Sequence, residues 1–501
     1  MEFISQVSAS VASDIIIAVF LSLLTLLSIG ALITFLCKFA QDEGELKRKA
    51  IIFPVIFGIG FAFRMVFAMC VRGYRDDYAI FSTMFDNLRV HGLGEYYGGD
   101  AGQVLYPVVY FIYLIFGGLS NAIGLSDYAL GMQFMIKLPM IIAELLTAFA
   151  VYLVGKRYFN ARVAVVLCSF VCVCPIFFMG VIWSTPLVFT VMFAAFGCYF
   201  LARKKYMLTI AFMMLAAFSS KEGIFLFPVA CVFSIFHFVK AIGNIKRDKV
   251  GGKDIFGADY RAAIFVPVGF IISLIGIYLI GLFMISAHSY NPFVYIYEFL
   301  LAPLVNWEYF TYNGLSVYAI FNQNGSVPGA RFPAWVFTCV FGAIIFAVVC
   351  VVYFTKRNRA TMVMLAAYSL FTLQIYYPGS HAIGFTCVFG VLIVSYALVR
   401  DKRLLYVLAL SGLCYVVNGI TVMACAGYLN NLADFNFGTQ ELLLTGGMSA
   451  VTITCSVLTF ISHLYFTVVA VSVGMTGQKK TLGFADGVGA SLKEFFKIKK
   501  V

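Results

Sequence analysis

Long runs of apolar residues alternate with short polar or basic segments along almost the whole chain. Most of the runs are close to the roughly 20 residues that an α-helix needs to cross a hydrocarbon core about 30 Å thick. The pattern predicts an all-α polytopic membrane protein with about 13–14 transmembrane helices and no soluble domain. The runs lie near residues 15–40, 50–71, 105–123, 131–153, 162–182, 186–202, 206–219, 223–243, 262–287, 332–355, 361–376, 382–399, 404–427 and 449–474.

The two ends of the chain carry different signals. The first apolar run, 15–40, is too long and too poorly flanked for a cleaved signal peptide, so we expect a retained signal anchor. The last segment, 476–501, mixes glycine, serine and lysine without a sustained apolar run. It is typical of a basic cytoplasmic tail lying on the membrane surface.

Composition and charge agree with a membrane protein. The chain is 62% hydrophobic and 12% charged, whereas a soluble protein is about a quarter charged. Its net charge of +12 is concentrated, because 27 of the 35 lysines and arginines lie in seven short clusters. This is the pattern of cytoplasmic loops beside an anionic lipid surface, so the charge calls for no nucleic-acid partner. The clusters are 47–49, 156–162, 203–205, 240–261, 356–359, 400–403 and 479–500.

The segments between the basic clusters are longer, polar and aromatic. The positive-inside rule predicts that 72–104, 288–331 and 428–447 lie on the outer face, with tight turns at 183–185, 219–222 and 377–381. One conflict remains. Two apolar runs separate the 72–104 loop from Lys156, where the rule requires an odd number. Either one run is re-entrant or the rule fails locally.

The 72–104 loop contains a stretch with helical periodicity. Four of its residues share one face of a helix at positions i, i+4, i+7 and i+11: Asp77, Phe81, Met84 and Leu88. Asp86 lies about 180° away around the same helix, so the two acids do not form a glycosidase-type pair. We predict an amphipathic helix in the outer interface. The alternative is a solvated loop whose acids offset Arg72 and Arg75.

A few ionisable residues interrupt or border the apolar runs, and such residues are functional candidates because burying their charge in lipid is costly. Lys137 and Glu144 lie on one helical face and suit either a buried ion pair or a site role. Lys221, at the outer edge of a run, suits an anionic ligand. His381 is ambiguous by itself, and Arg331 closes the 288–331 loop.

Common catalytic signatures do not occur in the chain. The thirteen cysteines lie mostly in apolar runs without a CxxC pair, which indicates small buried side chains. There is no P-loop, HExxH, GxSxG or zinc spacing. What remains is an aspartate on an outer loop, cations on the same side, and a loop rich in aromatic and amide side chains at 291–325. This set suits sugar transfer from a lipid phosphate, with a carboxylate as base and cations holding the phosphate. These motifs require no cofactor and no divalent metal.

Four blocks in order resemble GT-C glycosyltransferases, most closely the bacterial relatives of the GPI-anchor second mannosyltransferase. "RDDYAIFSTMFDNLRVHGLGEYYGG", followed by Tyr106-Pro107, is similar to the first outer loop of that family. "KLPMIIAE" resembles its K-x-P…A-D segment, and "YFTYNGLSVYAIFNQNG" resembles an outer N-x-x-N/S-x-[WY] segment. The match covers about residues 50–400.

Three departures from the family pattern stand out. Its W-G-Q-x-D motif is represented by "WSTP" from Trp183, so a second acid is missing. Its K-P-Q motif is represented by Lys221-Glu222-Gly223, and its H-E-[RK] motif keeps only His381.

The resemblance implies a fold, a chemistry and a set of site residues. It implies a GT-C bundle in which residues 50–400 form the catalytic region, between an N-terminal helix and basic loop at 1–49, C-terminal helices at 401–475 and the 476–501 tail. The donor would be a polyprenyl-phosphate sugar, with mannose or another hexose. The acceptor would be lipid-linked or on the cell surface, at the outer face of a bacterial plasma membrane. Asp77 would be the base with Asp76 as the second choice, and the phosphate would be held by Lys221, His381, Arg331 and Lys137. The substrate-binding candidates are Tyr106, Trp183, Asn313, Tyr318, Asn324 and Glu222.

Two other classes remain open. A transporter or flippase of lipid-linked sugars would show inverted repeats and broken helices in matching halves, and no such symmetry is visible. A catalytically inactive GT-C-like accessory subunit is compatible with the missing family residues.

Overall fold

The computed structural model describes residues 2–39, 49–95, 106–249, 260–285, 309–326, 334–356, 359–425 and 446–476, and these are almost entirely helical. The strands among them, β1 Thr311–Tyr312 and β2 Ser380–His381, form one short parallel pair. The predicted all-α class is therefore confirmed. The helices are α1 Glu2–Phe39, α2 Lys49–Cys70, α3 Arg75–Glu95, α4 Pro107–Ala122, α5 Ala129–Tyr158, α6 Ala161–Val173, α7 Pro175–Trp183, α8 Leu187–Ala202, α9 Tyr206–Ala217, α10 Lys221–Ile224, α11 Phe227–Asp248, α12 Ala262–Ile285, α13 Val317–Ile320, α14 Ala334–Lys356, α15 Arg359–Tyr376, α16 Thr386–Val399, α17 Arg403–Cys425 and α18 Gly446–Thr476.

Each predicted apolar run coincides with an apolar helix. Within the described residues, six helical segments are long and apolar enough to cross a membrane by length and composition, and shorter apolar helices occupy the remaining runs. The bundle centres on α16, in which every residue is buried, and α5, α8 and α15 pack around it. The chain is an integral membrane protein. The six long segments are Ile16–Leu36, Ala129–Tyr158, Ala161–Trp183, Lys221–Asp248, Arg403–Ala424 and Ser449–Val473.

One apolar span is broken in its middle, where α6 ends and α7 begins. Pro175 has no N–H, so it cannot continue the helical hydrogen bonds across the break. The buried guanidinium of Arg64 on α2 donates instead to the carbonyl oxygens of Val171 at 3.1 Å and Cys172 at 2.7 Å. Arg64 therefore satisfies backbone acceptors that the break leaves without a helical donor.

Arg64 also forms a buried ion pair that differs from the one expected. Its Nε lies 2.7 Å from a carboxylate oxygen of Glu144 on α5, and the other carboxylate oxygen accepts a hydrogen bond from the N–H of Val181. Lys137 does not pair with Glu144 but donates to the carbonyl oxygens of Val71 and Ile182. Of the two alternatives left open for Lys137 and Glu144, the buried ion pair is present for Glu144, but α2 supplies its cation, which helical spacing within α5 does not show.

Helix α4 starts and ends on the same side of the bundle. At its start, Val108 N–H donates to the carbonyl of Phe218, just past the end of α9. Beyond its end, Gln133 in the first turns of α5 donates to the carbonyls of Ala68 and Val71, where α2 ends. These contacts favour the alternative in which the run at 105–123 is re-entrant.

The amphipathic helix of the first loop is present as α3. Phe81, Met84 and Leu88 are buried, as the periodicity predicts, while Asp86 on the other side is partly exposed. Phe81 packs against Tyr113 of α4 with ring centroids 4.4 Å apart. The α3–α4 pair forms a second apolar cluster against the start of α5. The alternative of a solvated loop is wrong for residues 75–95, and its proposed pairing of the acids with Arg75 concerns side chains outside the described part of the structure.

Candidate functional site

Four aromatic side chains from distant segments meet on the side of the bundle where α2 and α7 end. We call Tyr74, Trp183, Tyr312 and His381 the aromatic cluster. Tyr74 stacks on Trp183 with centroids 4.7 Å apart, and Tyr312 stacks on His381 at 5.4 Å. The edge of His381 meets Trp183 at 5.6 Å and Tyr74 at 5.3 Å. The four rings pack against one another between the first loop, α7 and the two strands.

The backbone before α3 crosses directly over the end of α7. Tyr74 N–H donates to the carbonyl of Trp183 at 2.7 Å, and the hydroxyl of Ser184 donates to the carbonyl of Arg72 at 2.8 Å. Gly73 has φ +114°, and a Cβ there would overlap Ser184 and the Trp183 carbonyl. Ser184 has φ +69°, a conformation that favours glycine. The related family has glycine at this position, so the local conformation agrees with the resemblance.

The pairing of β1 with β2 brings the 309–326 segment to the aromatic cluster. In the register of β1 and β2, Tyr312 lies beside His381. Lys221, at the start of α10, donates to the carbonyl of Gly379 at 2.8 Å and so holds the turn before β2. The hydroxyl of Ser220 accepts from Gly223 N–H and caps α10. The structure therefore brings Lys221, Trp183 and His381 together, although they are far apart in sequence.

Several buried polar atoms at this site have no partner within the described part of the chain. They are Nε1 of Trp183, Nδ1 of His381 and the hydroxyl of Tyr106. Trp183 is completely buried, so its indole N–H has no access to bulk water. Buried polar groups are normally hydrogen-bonded, and unpaired ones gathered at one place indicate a polar ligand or bound water.

His381 is neutral in this environment. Burial, and secondly the positive charge of Lys221, lower the pKa of the His381 imidazole to about 3. A neutral imidazole carries one N–H and can donate one hydrogen bond, but it brings no charge to a phosphate. The positive charge at this part of the site therefore comes from Lys221. Of the residues expected to hold the phosphate, Lys221 thus offers a charge here and His381 offers a neutral hydrogen-bond donor.

A small cavity opens beside Lys221. It is lined by Lys221, Glu222, Phe225, Leu373, Gln374, Tyr377, Gly379 and Ser380. Gln374 belongs to the last turns of α15 and was not found from the sequence. The available signal was an amide side chain close to the end of the apolar run 361–376.

Three predicted substrate-binding residues of the 309–326 segment are engaged within the protein. The Asn324 amide donates to the amide oxygen of Asn313 at 2.7 Å, and the Asn324 amide oxygen accepts from Asn313 N–H at 2.7 Å. Asn418 of α17 donates to the Asn313 carbonyl and accepts from Thr452 of α18. The hydroxyl of Tyr318 donates to the carbonyl of Tyr376. These contacts fasten the segment to the bundle and position Tyr312.

Lys137 stabilises the backbone that carries the aromatic cluster. Its ammonium group is completely buried, and its acceptors, the carbonyls of Val71 and Ile182, flank the crossing between the first loop and α7. The side chain therefore holds together the two segments that carry Tyr74 and Trp183.

Asp76 and Asp77 lie in the first turn of α3, within one helical turn of Tyr74. Their side chains are outside the described part of the structure, and so is Arg331. Among the described residues, no group of three or more histidine, cysteine, aspartate or glutamate side chains is placed to hold a metal ion.

The fold and the site define a multi-pass helical membrane protein with a polar and aromatic site on one side of the bundle. Residues 129–249 match the model of the family described as dolichyl-phosphate-mannose-protein mannosyltransferase. The matched region includes Trp183, Lys221 and Glu222. This match to part of the chain agrees with the resemblance to GT-C glycosyltransferases and points to a membrane glycosyltransferase in general terms. A search of curated proteins finds no significant match.

Proposed function

We propose that the protein transfers one sugar, mannose or another hexose, from a polyprenyl phosphate to a lipid-linked or surface acceptor. The family match supports a lipid-linked sugar donor in a membrane setting. The observation that carries the proposal is the group of unpaired, buried donors and acceptors on Trp183 and His381 beside Lys221. A cation next to aromatic faces and free polar atoms suits a phosphorylated sugar.

The proposed reaction is an inverting displacement at the anomeric carbon. Asp77, or Asp76 in its place, accepts the proton of the acceptor hydroxyl while the hydroxyl oxygen forms the new bond to that carbon. The bond from the anomeric carbon to the phosphate oxygen breaks, and the polyprenyl phosphate leaves with the electron pair. Lys221 and Arg331 offset the negative charge of the phosphate, and the neutral His381 donates one hydrogen bond.

The position of the base rests on the backbone. Tyr78 N–H donates to the carbonyl of Tyr74 at 2.9 Å, so α3 starts directly from the aromatic cluster. The first turn of α3 therefore begins next to Trp183. This backbone path supports Asp77, or Asp76, as the base for a sugar bound against the aromatic cluster.

Two further parts of the proposal concern setting and cofactors. Among the described residues, Lys156 and Arg157 end α5 and Arg203 follows α8, each at the end of its helix away from the aromatic cluster, which supports an active site on the outer face. Lys221 and Arg331 would take the role that a divalent metal has in other transferases. We therefore expect sugar transfer to persist in EDTA.

The test is a transfer assay with purified protein reconstituted in lipid nanodiscs. Radiolabelled mannose and glucose on polyprenyl phosphate serve as donors, and a membrane lipid extract supplies acceptors. We expect label to move into a new lipid or glycan product and free polyprenyl phosphate to appear by mass spectrometry. In liposomes, movement of intact donor across the bilayer without a new product would support a flippase instead. Intact donor that neither reacts nor moves would support an accessory subunit.

A further inference from the structure

The cavity beside Lys221 contains two polar groups that the protein itself leaves unused. The carboxylate of Glu222 and the amide of Gln374 both line it, and neither has a hydrogen-bond partner among the described residues. Glu222 is 7% exposed and Gln374 is 3% exposed, so the cavity is the principal opening for both groups. The other polar lining groups are engaged, since Lys221 donates to Gly379 and Ser380 donates to Thr311.

The size of the cavity limits what it can hold. Its volume is about 10 Å³. A cavity needs about 10–15 Å³ to hold one water molecule, so this one fits a group of hydroxyl size and excludes a sugar ring.

The two unused groups match the bonding capacity of a hydroxyl. A carboxylate only accepts hydrogen bonds, whereas an amide both donates and accepts. A hydroxyl can donate to Glu222 and accept from the Gln374 amide nitrogen at the same time. The nearby Lys221 ammonium group disfavours a charged amine in the same place.

Gly384 fixes the Gln374 amide in position. A Cβ at residue 384 would overlap the amide of Gln374, and Gly384 lies in the turn directly after β2. The amide therefore packs against the backbone that carries His381.

We propose that Glu222 and Gln374 bind one hydroxyl group of the transferred sugar and thereby select which sugar is transferred. This inference rests on the proposed function, because it places the sugar of the polyprenyl-phosphate donor against the aromatic cluster. Lys221 then holds the phosphate while its neighbour in sequence, Glu222, holds a hydroxyl of the same donor. The cavity is thus the specificity pocket of the site.

The test compares donors that differ in a single hydroxyl. Polyprenyl phosphates carrying mannose, glucose and galactose are suitable, because mannose and galactose each invert one hydroxyl of glucose. We expect the wild-type protein to prefer one of them by about tenfold or more in kcat/KM, since a hydrogen bond to a charged group contributes about 1.5–3 kcal/mol. Gln374→Met and Glu222→Gln should each reduce that preference to less than about threefold.

Three controls make the result specific. Gly384→Ala displaces the Gln374 amide without removing it, so it should also reduce the preference. Gln323→Met changes the same residue type at an exposed position and should leave the preference unchanged. Thermal unfolding of each variant in detergent checks that it is folded.

The outcomes separate the two proposals. Transfer with an unchanged sugar preference in Gln374→Met, Glu222→Gln and Gly384→Ala would overturn the specificity pocket alone and leave a bound water as the occupant. No transfer by the wild-type protein from any of the three donors would overturn the proposed function, and the specificity pocket with it.

Discussion

The backbone N–H of Tyr74 donates a 2.7 Å hydrogen bond to the carbonyl oxygen of Trp183. This bond joins the start of the first loop to the end of α7, and the Ser184 hydroxyl reinforces it through Arg72. Because α3 begins one residue after Tyr74, the same bond sets the position of Asp76 and Asp77 relative to the aromatic cluster. The proposed base and the proposed sugar-binding surface are thus held by one crossing of the backbone.

The first prediction concerns the base. Asp77→Asn keeps the size of the side chain but removes its ability to accept a proton. A general base contributes about 10²–10⁴-fold to the rate, so kcat for sugar transfer should fall by about that factor. Binding of the polyprenyl-phosphate donor, measured separately, should be retained.

The neighbouring aspartates provide the controls. Asp86 lies on the opposite face of α3, so Asp86→Asn should remain close to wild type. If Asp76→Asn abolishes transfer while Asp77→Asn does not, the base is Asp76.

The second prediction concerns the phosphate. Lys221→Met removes the positive charge next to His381. Among the described residues, no other charge acts on that imidazole. Binding of polyprenyl phosphate, measured by its effect on thermal unfolding, should weaken about 10- to 100-fold, since hydrogen bonds to charged groups contribute about 1.5–3 kcal/mol. Lys205→Met, an exposed lysine on the opposite side, should have no effect. Equal affinity in both variants would assign Lys221 only the structural task of holding Gly379.

The third prediction uses the titration of His381. Its pKa is lowered to about 3 in the folded protein, against a usual value near 6.5, because burial and the charge of Lys221 disfavour the imidazolium. Between these values the unfolded chain binds a proton that the folded protein does not, so stability is lost as the pH falls from 6.5 toward 3. His381→Gln removes this contribution. Its unfolding midpoint should therefore decline less than that of wild type between pH 7 and pH 4.5, and an identical decline would contradict the buried neutral state.

The fourth prediction concerns the buried pair of Arg64 and Glu144. Arg64→Met leaves the Glu144 carboxylate unpaired and removes the donor from the carbonyls of Val171 and Cys172. Loss of one partner of a buried pair costs about 3–5 kcal/mol, and the free energy of unfolding in mixed detergent should fall by that amount. Arg247→Ala breaks an exposed pair with Asp248 and should leave stability unchanged.

The fifth prediction concerns orientation. Gln323 lies in the exposed part of the 309–326 segment, on the side of the aromatic cluster. In a variant with the exposed Cys70 replaced by serine, Gln323→Cys should react with an impermeant maleimide on intact cells. Lys205→Cys should react only after permeabilisation. The reverse pattern would place the site on the cytoplasmic face.

The sequence predicted the helices well because the signal is strong. An apolar run of about 20 residues has few alternatives to a helix, so every predicted run corresponds to one. It did not show on which side of the bundle α4 begins and ends, because hydropathy records composition and not direction. The crossing of the first loop over α7 depends on contacts between Tyr74 and Trp183, which are 109 residues apart, and no local pattern encodes it.

The candidate site could be assembled only with the structure. Lys221 and His381 became candidates because they interrupt or border apolar runs, the family resemblance added Trp183, and the structure places the three close together. Asn313 and Asn324 were expected to bind substrate, but the two amides bond to each other, and composition cannot distinguish a free amide from a paired one. Gln374 and Arg64 were missed although each interrupts an apolar run, which is the signal that drew attention to Lys137 and Glu144.

The dependence of Arg64 on distant partners has a consequence for biosynthesis. Glu144 lies 80 residues after Arg64 in the sequence, and Cys172 lies 108 residues after Arg64. At a synthesis rate of about 5–20 residues per second, these partners emerge roughly 4–20 s after α2 has left the ribosome. During that time an uncompensated arginine within the bilayer costs about 2.5–3.5 kcal/mol. We therefore expect α2 to reach its final depth only after α5, α6 and α7 have been synthesised, so that this part of the chain matures as one unit.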